Sequence, residues 1–212
     1  MINYLKKIFS ILLLFSVLSV CAQDTLVLQP GWESGKDAII NDCMSDSNYG
    51  NASDLSANAW TVGGMAVISR SLFEFDLSIF TSNTRIVHAS LSLYSQLSLF
   101  NGNHSTSGGS NEALLQRVTS NWDEIEVNWE NCPSTTNINQ VVLIESIKPD
   151  EHYLDIDVTA LVQDMVTNPS TSYGFMFRLV TEEFYRRMLF ASSDHYDGNL
   201  HPKLEIVYVV SD

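Results

Sequence analysis

The densest group of side chains able to do chemistry lies at residues 117–133, RVTSNWDEIEVNWENCP. Trp122 and Trp129 stand seven positions apart, with Asp123, Glu124, Glu126 and Glu130 among them. Such a cluster could line a sugar cleft, one carboxyl acting as an acid with a raised pKa and a second facing it across the glycosidic bond. It could equally be two core tryptophans joined by a solvated turn. Spacing alone shows no cleft, and carboxylates in a polar, turn-like stretch are usually solvated and ionised. The chain is therefore read as a non-enzyme, with a lyase or hydrolase as the outlying reading.

Other catalytic signatures are missing from the sequence. There is no Gly-x-Ser-x-Gly elbow, no recognised Cys/His pairing, no His-Glu-x-x-His and no phosphate-cradling loop. The five histidines are scattered, and His88 reads as a solvent-facing strand residue. NDCMSDSNYGN places Asn41, Asp42, Asp46 and Asn48 within eight residues. These are hard oxygen donors, so Asp42, Asp46 and Asn48 are candidate ligands for a structural calcium ion. An Asx-rich loop without metal is the competing reading. No other cofactor is suggested.

Sugars stack their apolar faces on Trp and Tyr and hydrogen-bond through their hydroxyls. Trp32, Tyr49, Trp60, Tyr185 and Tyr196 fall in loop-like stretches or at strand ends, where binding residues concentrate. Basic residues cluster once, at Arg186-Arg187 after TEEFY. Neighbours on a strand point to opposite faces, so one of that pair can face a ligand.

Stepping along the chain gives the elements that hold these residues. Lys6 and Lys7 precede an apolar run from Ile8 to Val20, too short to span a bilayer comfortably. Val20-Cys21-Ala22 then resembles a signal-peptidase site, so residues 1–22 read as a secretory signal cut after Ala22. Leu18-Ser19-Val20-Cys21 is a near lipobox, but Val20 is bulkier than the usual residue before the lipidated cysteine. Secretion to the extracellular space or cell surface is preferred over lipidation at Cys21. Residues 23–35 form a leader, either a strand or a loose tail, and 36–212 a single domain.

The formal charge of −14 becomes −16 without Lys6 and Lys7. That field disfavours nucleic acid and anionic membranes as partners. A hydrophobic content of 45% with 17% charged residues marks a globular domain. Cys43 and Cys132 remain after the signal. In an exported chain they are either a disulfide closing a long loop or two separate buried thiols.

Period-two alternation dominates the mature chain. Val87, Ala89, Leu91 and Leu93 alternate with His88, Ser90 and Ser92, and Leu97 and Leu99 extend the pattern. YGFMFRLV and KLEIVYVV alternate likewise. Further strands read at 25–29, 37–41, 68–76, 113–118, 141–147, 153–157 and 187–191. DVTALVQDMV alone has helical spacing, with Asp157 or Thr159 as its cap. About ten strands and one short helix define an all-β antiparallel sandwich or barrel.

Several segments together resemble one family. KDAIINDCMSDSNYGNASDLSA resembles the opening of the DNRLRE domain, also classed as carbohydrate-binding module family 96, through Asp37, Asn48, Tyr49 and Gly50. SRSLFEFDLS, with Arg70 and Phe75-Asp76-Leu77, and IVHASLSLY resemble two of its strands. The Trp122–Trp129 segment resembles its Val-Thr-x-x-Trp-x-Glu-x-x-Val-Thr-Trp-x-x-x-Pro signature. LDIDVTALVQDMV, YGFMF and FASSDHYDGNLHPKLEIVY follow in the family's order. The resemblance spans about residues 36–209.

It implies a jelly-roll β-sandwich with one short helix. It also implies binding of extracellular polysaccharide, acidic polymers such as alginate among the ligands, without catalysis by the domain. Two positions depart: Asn128 replaces a Thr, and His201 replaces an Arg before Pro202. The resemblance and the loop-borne aromatics together nominate Tyr49, Arg70, Tyr185, Arg186, Arg187 and His201 as ligand-binding residues, Tyr185 by stacking. On this reading Trp122 and Trp129 are sandwich wedges, with Val127 and Trp129 alternating on a strand. The alternative function is a structural or adhesive extracellular β-sandwich, partnered by surface or matrix components and without glycan specificity.

Overall fold

A computed structural model describes residues 23–98 and 102–210. The signal and lipobox readings, and the extension of the strand pattern to Leu99, lie outside the described residues.

Eleven strands and one α-helix form two antiparallel sheets. They are β1 (Asp24–Leu28), β2 (Lys36–Asn41), β3 (Asp54–Val62), β4 (Met65–Glu74), β5 (Arg85–Leu93), β6 (Ala113–Val118), β7 (Thr135–Leu143), β8 (Tyr153–Asp157), β9 (Phe175–Leu179), β10 (Arg186–Ala191) and β11 (Lys203–Val209). Helix α1 spans Thr159–Thr167. One sheet has the order β1-β11-β5-β8, and the other runs β10-β3-β4-β9-β6-β7, with β2 also on β4. This is an antiparallel β-sandwich with a single short helix, as the alternation predicts. The leader is a strand rather than a tail, because β1 pairs with β11 from Asp24↔Tyr208 to Leu28↔Leu204.

Several strands differ from expectation: β3 is not among those expected, and β4 runs from Met65 to Glu74 rather than 68–76. β3 has a buried pattern, Asp54 to Ala59, with little alternation in burial, because both of its faces are covered. Its residues nonetheless alternate in type, Asp54, Ser56 and Asn58 against Leu55, Ala57 and Ala59. Gly63 and Gly64, both at positive φ, make the two-residue turn that pairs Val62 with Met65. β7 begins at Thr135, well before Val141, and ends at Leu143. Residues 119–134 contain no strand, so Val127 and Trp129 lie in a long loop between β6 and β7.

The main core lies between the sheets. Phe73, Phe75, Phe175, Phe177 and Phe190 meet Ala89, Leu91, Leu93, Leu204 and Ile206 there. Phe73 stacks on Phe175 at 5.0 Å between centroids, and Phe75 meets Phe175 edge-on at 6.2 Å. Burying each such ring is worth about 1.5–3 kcal/mol. Helix α1 closes one end through Leu161, Val162, Met165 and Val166. Its first N–H, from Thr159, is taken by Asp157 at 2.9 Å, just outside the helix. Arg117, 7% exposed, ties β6 to the helix through Asp164 at 3.1 Å and to the turn that follows it through Thr171 O at 2.6 Å.

A second, smaller core lies on the outer side of the larger sheet. It unites Ala38, Ile40, Leu72, Val118 and Met176 with Trp122 and Val127. The 119–134 loop is thus a cover laid over this face. Three clamps hold it. Trp122 Nε1 donates to Tyr173 O at 2.9 Å, Asp37 N donates to Glu124 Oε1 at 2.8 Å, and Asn48 Nδ2 donates to Glu124 O and Val127 O at 2.7 and 2.8 Å.

Candidate functional site

Strand register determines what the outer face presents. Ile40 pairs with Arg70, Leu72 with Met176, Gln116 with Met176, and Leu114 with Arg178. The even-numbered side chains of β2, β4, β9 and β6 therefore share one side. The cover loop occupies the part bearing Ala38, Leu72, Val118 and Met176. The neighbouring part, bearing Arg70, Arg178 and Gln116, stays open.

What remains is a shallow groove of about 600 Å³, lined by Arg70, Gln116, Met176, Arg178 and residues 132–137 of the chain. Its floor is apolar at buried Met176 and Pro133. Its lip is polar, with Ser134, Thr135, Thr136 and Asn137 partly or fully exposed. A chain of polar contacts crosses it. Arg178 Nε donates to Gln116 Oε1 at 3.1 Å, and Gln116 Nε2 donates to Gln140 Oε1 at 2.8 Å.

Arg70 stands at the junction of groove and loop. Its Nε and Nη2 reach the two Glu182 oxygens at 2.7 and 2.9 Å. Its guanidinium lies 4.7 Å from the Trp129 ring centre. The bond to Glu182 holds Arg70 firmly in its charged form. Trp129 is half-buried and packs against the second core, whereas Trp122 is buried. Both tryptophans are wedges, and Trp129 also edges the open surface.

The β9–β10 connection carries the next contacts. Glu182 holds Arg70, and three residues later Tyr185 meets Trp60 edge-on at 5.2 Å. Arg187 lies 4.7 Å over the same Trp60 ring, and its Nε donates to Asn103 O at 2.7 Å. Burial pushes the Arg187 guanidinium below its ordinary pKa. Arg186 pairs with Glu183 at 2.7 Å. Tyr185 sits at φ 65°, a left-handed conformation uncommon for a non-glycine residue. Arg70, Tyr185, Arg186 and Arg187 are thus gathered around one connection. Trp60 is not in a loop but in β3.

Of the six nominated ligand residues only Arg70 lines the groove; Tyr185, Arg186 and Arg187 lie outside it, and the other two are placed elsewhere again. His201 is buried, with Nε2 2.8 Å from His195 O, and serves the 192–201 loop. Tyr49 bridges Ile39 through its backbone, in the loop beneath the cover. Each holds a loop, and neither lines the groove.

The calcium candidates each have a partner within the protein. Asp42 Oδ1 accepts from Ile68 N at 2.6 Å, Asp46 Oδ1 from Ser47 Oγ at 3.4 Å, and Asn48 Oδ1 from Gly50 N at 3.1 Å. Among the described residues no group of three or more His, Cys, Asp or Glu is placed to hold a metal ion. Cys43 and Cys132 are free, half-buried thiols, so the disulfide alternative is not formed. Burial raises the Cys132 pKa.

The carboxylates of the Trp segment do not make a catalytic pair. Asp123 and Glu126 are exposed beside a surface dent at Trp122, and Glu124 is held by the Asp37 amide. Burial is also what raises the Glu124 pKa. The most perturbed carboxyl is one that the sequence gives no reason to single out as titrating. Burial pushes Asp37 up to about 7, against the opposing Ser193 hydroxyl and amide bonds. Asp37 thereby ties β2 to the 192–201 loop.

A second concavity of about 470 Å³ lies where α1 closes the sandwich, walled by Phe75, Leu77, Phe80, Met165 and Val166. Its acids are Glu74 and Asp76, and no amide or guanidinium side chain lines it. Its hydroxyl groups are those of Ser78, Ser172 and Tyr173, and its walls are mainly apolar.

Glu182, Gln116, Arg178 and the Thr135–Asn137 lip are absent from the sequence nominations. Their side is fixed by the β4–β9–β6 register, which no local pattern reveals.

A rigid antiparallel sandwich with an open groove of hydroxyl, amide and guanidinium groups beside a tryptophan has the form of a carbohydrate-binding domain. The chain belongs to carbohydrate-binding module family 96, whose sequence model matches residues 31–208. Carbohydrate is accordingly the general class of partner. No curated protein matches the chain by sequence.

Proposed function

We propose that the protein is an exported, non-catalytic polysaccharide-binding protein that takes its ligand on the groove bordered by Arg70, Gln116, Arg178 and Thr135–Asn137. The observation that carries this reading is the half-covered outer face. One loop seals the apolar part, and the polar part remains open next to Trp129. An open groove on a sheet suits an extended chain, whereas an enclosed pocket suits a small molecule. Export is supported by the signal pattern of residues 1–22, and among the described residues no helix is long and apolar enough to cross a membrane.

Affinity electrophoresis through gels containing individual polysaccharides tests the reading. The protein should be retarded on at least one glycan. Arg178→Ala and Asn137→Ala should each weaken retardation several-fold at unchanged melting temperature. Equal retardation of both variants and the parent would place the site elsewhere. Concentration-dependent self-association without retardation on any glycan would favour the structural or adhesive alternative.

A further inference from the structure

We infer that the groove selects uncharged glycans over polyanionic ones, and that Glu182 is the positioning residue that sets this selection. The inference rests on the groove being the carbohydrate site. Arg70 is the residue whose type most suits a sugar carboxylate or sulfate, because a guanidinium grips such groups with two parallel bonds. Here that fork is already filled. Glu182 supplies both oxygens, at 2.7 and 2.9 Å, and the two side chains are only 25% and 17% exposed. An anionic sugar reaching Arg70 would have to displace a half-buried carboxylate and leave it uncompensated, which is costly.

The same consumption of positive charge extends beyond the groove. Lys36 is taken by Glu74 at 2.6 Å, Arg117 by Asp164 at 3.1 Å, and Arg186 by Glu183 at 2.7 Å. Arg187 is stacked on Trp60 and bonded to a backbone carbonyl. Inside the groove Arg178 is the second cation, and its Nε and Nη1 are committed to Gln116 and to Leu179 O. A charge on every ring of a polyanion would meet one partly committed guanidinium within a chain of net charge −14. Such a field repels polyanions at long range.

The remaining lining is suited to hydroxyls. Ser134, Thr135 and Thr136 each donate and accept, and Asn137 carries both functions on one amide. A neutral, hydroxyl-rich polysaccharide matches this set without asking for charge.

The test compares dissociation constants from affinity electrophoresis on neutral polymers (mixed-linkage β-glucan, galactomannan, laminarin) with those on polygalacturonate and alginate. The natural protein should bind its best neutral polymer at least about ten-fold more tightly than either anionic one. That binding should change little between about 0.02 and 0.5 M NaCl, because it contains no ion pair to screen. Glu182→Gln frees the Arg70 fork and should reduce the neutral-to-anionic ratio by about ten-fold or more. Tight, salt-sensitive binding of polygalacturonate or alginate by the natural protein would overturn the selection while leaving the glycan site standing. An unchanged ratio in a folded Glu182→Gln variant would remove Glu182 from the account. Retention on no glycan would overturn the polysaccharide reading, and this inference with it.

Discussion

Truncating Trp122 separates a wedge from a ligand platform. The side chain is 6% exposed and packs with Ala38, Ile40, Leu72, Val118, Val127 and Met176. An indole buries on the order of 200 Å². At about 25 cal/mol per Å² that is about 5 kcal/mol of burial. The bond from Nε1 to Tyr173 O adds about 1 kcal/mol. Lys36 Nζ lies 4.3 Å from the ring centre, a further small contribution. Against this, the cover loop is peripheral and can partly collapse into the space left. Trp122→Ala should therefore cost about 3–5 kcal/mol, a large share of a domain's total stability. Urea unfolding followed by circular dichroism reads this loss as a lower midpoint at similar slope. Trp129→Ala, half-buried at the groove edge, should cost only about 1–2 kcal/mol. A Trp122→Ala protein within about 1 kcal/mol of its parent that no longer binds glycan would show the reasoning to be wrong.

Other consequences are open to direct measurement. Because Asp37 has a folded pKa of about 7 against an ordinary 3.8, its contribution to stability is fully present below about 3.8 and is lost as pH rises through about 7. The full difference is worth about 4 kcal/mol. Unfolding midpoints should rise on acidification from pH 8 towards pH 5, and Asp37→Asn should flatten that slope. Gly174→Ala places a side chain at φ +83°, with its Cβ pressed against Phe73 O, and should lower the melting temperature by several degrees or abolish folding. Ser71→Ala removes an oxygen that accepts from Ser56 N at 2.6 Å and donates to Ser56 O at 3.1 Å. The loss should be about 1–3 kcal/mol by chemical denaturation. Thiol titration of the unfolded, mature protein should find both Cys43 and Cys132 reactive.

Much of the architecture is legible in the sequence, for a definite reason. Strands whose residues alternate apolar and polar, such as β5 and β11, are visible, and α1 shows its stripe of Leu161, Val162, Met165 and Val166. β3 carries the same alternation, Asp54, Ser56 and Asn58 against Leu55, Ala57 and Ala59, but its polar side chains are buried rather than wet. The Trp122–Trp129 segment is recognisable as a signature, yet its alternation suggests a strand where the chain forms a loop over an outer face. Its tryptophans are apolar for the sake of a second core, which no period can announce.

The site is less legible. Arg70 and the Tyr185–Arg187 group stand out by type and gather around the β9–β10 connection, but only Arg70 lines the groove. His201 and Tyr49 stand out equally and lie elsewhere, because the bonds at His195 O and Ile39 that fix them are matters of tertiary contact. Gln116 and Arg178 look ordinary along the chain. Only cross-strand register brings them together, and that register pairs residues 58 to 66 positions apart.

The central claim, that polysaccharide binds on the open half of the outer face, is tested most directly by one comparison. Dissociation constants on the best-retained glycan would be measured for the natural protein, for Arg178→Ala in the groove and for Tyr196→Ala. Tyr196 is the most exposed aromatic side chain among the described residues, at 94%, and does not line the groove. Arg178→Ala should bind several-fold more weakly, and Tyr196→Ala as tightly as the parent. Full binding by Arg178→Ala with loss in Tyr196→Ala would contradict the claim and move the site to the 192–201 loop.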